Sequence, residues 1–527
     1  MFHIRPCRPR FGFSDENLYH SYQTWHIFDG VETDWRDAQL AEQAAEIAEL
    51  NAKLAKRDRI IGEQQKQIER LVRRIAELEE RLGKTSRNSS KPPSSDPPWI
   101  KPGPPKRPSG RKPGGQPGHK GNRRTLIAPE KVDETHDVWP AQCEQCQQPL
   151  ARDADADVNV GEPIRHQVVE LPRVSARVTE YRLHSQTCLH CQQVTTATLP
   201  KGVPTTCFGP RLQAVVALCS GVYRLSKRTL CGLMQDLFGV AMSLGSVTAC
   251  EQRTSDVLQA PVQEARRYIE DQSVAYADET GWRQRRKRAW VWVAVTCWVT
   301  VFLVHTRRNA KAARELLGSF TGILVSDRWS AYEQWPVERR QLCWAHLQRY
   351  FIAFSERRGK ARELGEKLRD LTKSMFGFWH RVRDGTLACT TFQRKMRPIR
   401  AEIEHLLDKG AHCGDPKVEG VCRELLDFEP ALWTFVYRPG VEPTNNTAER
   451  AIRGCVLMRK TSFGTHSEEG SRFIERMLTV AATLKQQRRN VVDYVTDACE
   501  RALQGLRTPS ILPSHHGLAS PALPLTT

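Results

Sequence analysis

The chain has 527 residues, 39% of them hydrophobic, so it is long enough for several domains and too apolar to be disordered throughout. Its 79 Lys and Arg exceed its 60 Asp and Glu by a formal charge of +19, a balance that suits a polyanionic partner, nucleic acid above all. No run approaches the roughly 18 apolar residues of a membrane-spanning helix, and the opening MFHIRPCRPRFGF lacks the apolar stretch of a secretion signal.

Residues 1–37 show no hydrophobic period and are expected to form a disordered extension. From 38 to 83 the pattern is regular. Leu40, Ile47, Leu54, Ile61, Ile68, Ile75 and Leu82 recur every seven residues, and Leu50, Leu71 and Leu78 fill the second seam position. Gln43, Arg57 and Gln64 interrupt that second position. Such heptads predict a coiled coil and self-association, at least a dimer; the alternative is a lone amphipathic helix packed on the body.

Residues 84–127 are rich in Pro, Gly, Ser and cations, with almost no acids, which predicts a basic linker without a packed core. It reads as a spacer, as a strap that neutralises phosphates, or as both. Over 128–205 come Cys143-x-x-Cys146 and Cys188-x-x-Cys191. The 16 cysteines are otherwise scattered, a usage that fits a reducing cytosol better than a disulfide framework. Two C-x-x-C turns can close one tetrahedral structural Zn²⁺ site, with the strand-like text HQVVELPRVSARVTEYRLHS forming a sheet hung from it. Residues 206–265 read as helical. Ser226 caps KRTLCGLMQDLF, Gly239 allows a turn and Ser243 caps LGSVTACEQR, an outline shared by helix-turn-helix readers and by plain helical packing. Lys227 and Arg228 are the candidate DNA contacts there.

At 274 the period changes. The apolar run VAYAD ends in Asp278; AWVWVAV and TVFLVHT follow; Asn309 caps AKAARELLG; and GILVSD ends in Asp327, 49 positions after Asp278. Three strands, a helix and a fourth strand fit a mixed α/β sheet in which the two acid-bearing strands are neighbours. Two carboxylates at one sheet end repel unless a hard cation, Mg²⁺ or Mn²⁺, lies between them. A third acid comes from EPTNNTAERAIRGCVLMRK, where Thr444 is the expected N-cap and Glu449 falls in the second turn. Arg450, Arg453, Arg459 and Lys460 follow as candidate phosphate contacts; the plain alternative is a surface Glu449 paired with Arg453.

ADETGW, SDRWSAY, CWAHLQRYF and NNTAERAIR, with RNSSKPPSSD, GGQPGHKG and the two C-x-x-C pairs upstream, resemble the transposases of the insertion sequence 66 family. The likeness spans roughly residues 40–508. It implies a multidomain α+β chain: coiled coil, zinc-binding module, helix-turn-helix-like region and ribonuclease-H-like catalytic domain with a helical insertion. The insertion falls over 351–438, between core parts 266–350 and 439–462, with a helical region over 463–508 and a flexible tail beyond. It implies a catalytic triad of Asp278, Asp327 and Glu449 holding two Mg²⁺ or Mn²⁺ ions, and His346, from the C-x-x-H pair Cys343–His346, as an active-site helper. It also implies DNA partners (element ends and target), accessory proteins of the same element, and a bacterial, nucleoid-associated cytoplasmic location. Because the likeness starts just past residue 37, translation from near Val31 is a further expectation, which N-terminal sequencing tests.

The implied chemistry is metal-dependent hydrolysis at the element's ends, followed by attack of the freed 3′-hydroxyl on target DNA. Two rivals remain: a DNA-binding regulator with an inert catalytic domain, and a nuclease that cuts without joining.

Overall fold

The computed structural model describes residues 32–83, 124–150, 162–172 and 174–513, in two compact units divided after Thr85. The readings for residues 1–31, for the linker over 84–123 and for the tail beyond 513 lie outside the described residues.

In the first unit, helix α1 runs Glu32–Gly83, 52 residues, starting six residues before the expected boundary. Ala, Glu, Gln, Lys and Leu dominate it and no proline interrupts it. Leu40, Ile47, Leu54, Ile61, Ile68 and Ile75 are each more than half exposed, so the heptad stripe lies bare.

In the second unit, the expected sheet between the cysteine pairs does not form. Residues 174–184 take no regular structure; the paired strands there are β1 (Ser185–Thr187) and β2 (Val194–Thr196), antiparallel and flanking Cys188–Cys191. Ile164, Val168 and Leu171 stay largely exposed, so the alternation has nothing to pack against.

Four helices follow: α2 (Pro210–Gly221), α3 (Lys227–Phe238), α4 (Leu244–Val257) and α5 (Gln259–Glu270). The caps lie where the sequence puts them. Ser226 Oγ accepts from Thr229 N and Ser243 Oγ from Ser246 N, both at 3.1 Å, while Gly239 ends α3 with φ +65°, a conformation glycine adopts without strain.

The core is a five-stranded sheet: β3 (Val274–Gln284), β4 (Lys287–Val295), β5 (Thr300–His305), β6 (Ile323–Ser326) and β7 (Arg340–Leu342). The order is β5-β4-β3-β6-β7, the first three antiparallel and the last two parallel to β3. Helix α6 (Ala310–Leu317), capped by Asn309, lies between β5 and β6 in the chain. Strand β7 is the element the sequence hid: Arg340 and Gln341, two of its three residues, are polar and fully buried. Gln341 compensates by donating to Leu432 O and accepting from Phe435 N.

After β7 come α7 (Trp344–Ser355), α8 (Lys360–Arg383), α9 (Cys389–Gly410), α10 (Pro416–Asp427) and two single turns, α11 (Glu429–Leu432) and α12 (Thr434–Tyr437). The helices start at Trp344, seven residues before the helical stretch expected over 351–438, and their apolar faces join the core of the sheet. The chain then returns in α13 (Asn446–Ser462), α14 (Glu468–Gln486) and α15 (Val491–Leu503).

Helix α14 covers the β5 rim in an unusual way. Thr483 Oγ1, Thr479 Oγ1 and Glu475 Oε2 accept from the backbone N–H groups of Thr300, Phe302 and Val304, at 3.1, 3.0 and 3.2 Å. Four helical residues rise about 6.0 Å and two strand residues about 6.8 Å, so an antiparallel helix can meet every outward-facing N–H in turn.

Candidate active site

The strand registers bring the two aspartates together. Tyr276 pairs with Val325 in the parallel β3–β6 ladder, so Asp278 and Asp327 stand at the same level, each two residues beyond that pair. Asp327 follows the last residue of β6, as expected. Asp278 does not end its strand, which continues to Gln284 in the hairpin with β4. Asp327 Oδ1 accepts from Trp329 N at 2.9 Å and Asp278 Oδ1 from Glu279 N at 2.9 Å.

Glu449 approaches from α13. The N-cap of that helix is Asn445, not Thr444, which places Glu449 in the first turn rather than the second. Asn445 uses its side chain elsewhere: Nδ2 donates to Ala277 O at 2.7 Å, and its backbone N–H donates to Cys343 Sγ at 3.2 Å. The helix of the third acid is thereby fastened to the strand of the first. Burial, then the charges of Glu279, Asp327 and Glu449, hold the Asp278 carboxyl well above the usual carboxylate range. Anions that raise one another in this way make a setting that a divalent cation relieves.

His346 lies beside this group, its Nδ1 3.5 Å from Glu449 Oε1, and burial followed by Arg349 lowers its pKa. Burial pushes the Cys343 thiol up to about 12. Asp327 and His346 both line a cleft of about 360 Å³, together with Trp329 and Tyr350.

Residues 205–473, just over half of the chain, match the family described as Transposase IS66 family. The chain belongs to that family. Residues 32–125 of this IS66-family chain also match a family of unknown function (DUF6444). The uncharacterized protein y4qI of Sinorhizobium fredii (strain NBRC 101917 / NGR234) is 25% identical over 280 residues, 48% of this chain and 51% of the relative. The uncharacterized protein y4hP of the same strain is 23% identical over 368 residues, 62% of this chain and 65% of the relative. The chain thus spans about half the length of the first of these relatives and just under two thirds of the second. No described helix is long and apolar enough to cross a membrane.

The other candidate residues of the IS66-family chain divide by environment. Arg228, Arg453 and Lys460 are exposed. Lys227 is engaged internally, with Nζ 2.8 Å from Glu251 and 2.7 Å from Thr248 Oγ1. Arg459 is a brace: it donates to Gly281 O at 3.0 Å, and a Cβ at Gly281 would come within 2.9 Å of its guanidinium.

The two cysteine pairs form matching turns. Cys143 and Cys188 accept from Gln147 N and Gln192 N, and those glutamines have φ +59° and +57°. Backbone N–H groups of the turn lower the pKa of both leading thiols. The four sulfurs are not gathered into one ligand set: among the described residues, only Cys343, His346 and Glu449 meet within 4.8 Å as a group of three.

Two features were missed from the sequence. Glu279, next to Asp278, is buried and held by Arg308 at 2.7 Å and by Tyr332 Oη at 2.6 Å, while Arg308 lies 4.0 Å over the Trp329 ring. A carboxylate in an otherwise apolar strand was the available signal. The β3–β4 hairpin tip, RQRRKR over 283–288, exposes five cations, and Arg285 and Arg286 both adopt positive φ, +50° and +64°. The run of cations was visible, but its place at a tip was not.

Proposed function

We propose that the chain cuts phosphodiester bonds at the ends of its element and joins the freed 3′ ends to target DNA. The observation that supports this most directly is the pair Asp278 and Asp327 at one level of adjacent parallel strands, with the helix of Glu449 hydrogen-bonded to the first. The strand order, three antiparallel strands followed by two parallel ones, supports a ribonuclease-H-like reading of the domain.

Asp278, Asp327 and Glu449 would hold two Mg²⁺ or Mn²⁺ ions. Hard carboxylate oxygens suit these cations, and the Asp278 pKa, raised first by burial and then by the neighbouring acids, is a penalty that a bound cation would offset. Bound there, the ions would make water or a 3′-hydroxyl a better nucleophile and stabilise the leaving oxygen. The protein's own part is alignment. Trp329 N–H orients Asp327, Glu279 N–H orients Asp278, and Asn445 sets the distance of Glu449's helix from β3. His346, facing Glu449, is an active-site helper that holds a neutral imidazole beside the cleft.

Phosphate contacts come from Arg228, Arg450, Arg453 and Lys460 and from the hairpin tip 283–288; sequence-independent binding of this kind weakens with salt. The two C-x-x-C turns form a structural Zn²⁺ module through Cys143, Cys146, Cys188 and Cys191, and α1 pairs with a second copy through its heptads.

The test is cleavage and joining of DNA that carries the element's ends, with Mg²⁺ or Mn²⁺. Wild type should nick the ends and form joined products, while Asp278→Ala, Asp327→Ala and Glu449→Gln should bind ends in a gel shift and do neither. Binding without any cleavage by wild type would favour a regulator; cleavage without joining would favour a nuclease.

A further inference from the structure

Two helix starts converge beside Asp327. Cys343 is the N-cap of α7, His346 lies three residues on, and Glu449 occupies the first turn of α13. One ligand atom from each lies within 4.8 Å of the other two. His346 Nδ1 and Glu449 Oε1 are buried atoms without a hydrogen-bond partner, yet they face each other at 3.5 Å. Ordinary packing does not leave two buried polar atoms unsatisfied side by side. Ligand atoms held about 2.0–2.1 Å from a tetrahedral ion lie about 3.4 Å apart. The observed separation is that span.

We propose that Cys343, His346 and Glu449 form a binding site for a thiophilic divalent cation of the zinc class, with its fourth position open to the cleft lined by Asp327 and His346. Sulfur and imidazole select such an ion over Mg²⁺, which takes oxygen ligands. The surroundings support the sulfur ligand. Asn445 N–H donates to Cys343 Sγ at 3.2 Å and orients it, while burial raises the pKa of the metal-free thiol, so the cation itself has to displace that proton. The site shares Glu449 with the triad proposed above and is otherwise independent of that reading.

Full-length protein freed of metal and titrated with Co²⁺ tests the site. Bound equivalents are counted by equilibrium dialysis, and cobalt–thiolate ligation is read from its near-ultraviolet charge-transfer band. The C-x-x-C turns bring cobalt of their own, so the reading is the difference from wild type. Cys343→Ser keeps an acceptor for Asn445 N–H, and His346→Gln keeps most of the side-chain bulk. Each should lose one equivalent, and Cys343→Ser part of the band, while an Asp278→Asn/Asp327→Asn double variant keeps the whole band even as it loses the cobalt its own carboxylates held. Wild-type stoichiometry in Cys343→Ser and His346→Gln, with unchanged far-ultraviolet circular dichroism, overturns the site. Loss of the equivalent only in the aspartate variant also overturns it, by assigning the ion to the aspartates. Should Cys343→Ser fail to fold, His346→Gln decides alone. DNA cleavage is not part of the readout, so failure of the proposed function leaves this test intact.

Discussion

Asn445 Nδ2 donates to Ala277 O at 2.7 Å, a bond that ends one residue before Asp278 and begins four residues before Glu449. It is the strut between two elements that no covalent connection brings close. Asn445 is fully buried. Asn445→Ala leaves Ala277 O without this donor and should cost about 1–3 kcal/mol in chemical denaturation. Loosening the third acid by a fraction of an ångström to an ångström should lower DNA cleavage on the order of 10²-fold. Full cleavage by a folded Asn445→Ala protein would remove the strut from the site.

The pairing of Glu279 with Arg308 predicts strong coupling. The Glu279 side chain is 1% exposed and that of Arg308 36%. Arg308→Met leaves a buried carboxylate without its cation and should cost about 3 kcal/mol, the lower end for a buried pair because the arginine is partly solvated. In Arg308→Met/Glu279→Gln much of that loss should return, which urea melts of all four proteins would measure. Additive single effects would show that the pair is not coupled.

The raised pKa of Asp278 has a sign that can be checked. Burial and the neighbouring acids make folded, metal-free protein hold the Asp278 proton to higher pH than the unfolded chain, whose ordinary value is near 3.8. Stability from this group therefore falls as pH rises from about 3.8 toward the folded value. Asp278→Asn removes the penalty. In EDTA its melting temperature should exceed that of wild type at pH 7, and the difference should shrink toward pH 4. A variant that melts lower at pH 7 would contradict the assignment.

The bare stripe on α1 predicts association. Ile61 and Ile68 are 56% and 59% exposed in the single chain. Replacing both by Lys puts charges into the proposed seam and should shift sedimentation toward the monomer, with weakened pairing of DNA ends. Unchanged solution size would refute the zipper.

The acids were legible because an apolar run that stops at a carboxylate is a local signal, as Val325-Ser326-Asp327 shows. Asp278 lies within β3 and not at its end: Thr280, Gly281 and the cations beyond look like a loop in the sequence, and only pairing with β4 keeps them extended. Strand β7 was illegible because its burial depends on Gln341 finding Leu432 and Phe435, more than 90 positions away. The N-cap of α13 slipped by one residue for a similar reason. Thr444 and Asn445 both suit a cap locally, and tertiary bonds to Ala277 and Cys343 fix which one serves. The convergence of Cys343, His346 and Glu449 is tertiary as well; the C-x-x-H spacing was visible, its third member was not.

The row of Glu475, Thr479 and Thr483 along β5 has a bearing on how copies of this chain can crowd together. A sheet rim with its amides already taken offers no template to a stray strand, and at the opposite rim Thr434 Oγ1 donates to Arg340 O. Many copies can therefore come close to one another without seeding ladder-like polymers through this sheet. Thr→Val changes at 479 and 483, which keep the shape and remove the acceptors, would reopen that route to aggregation.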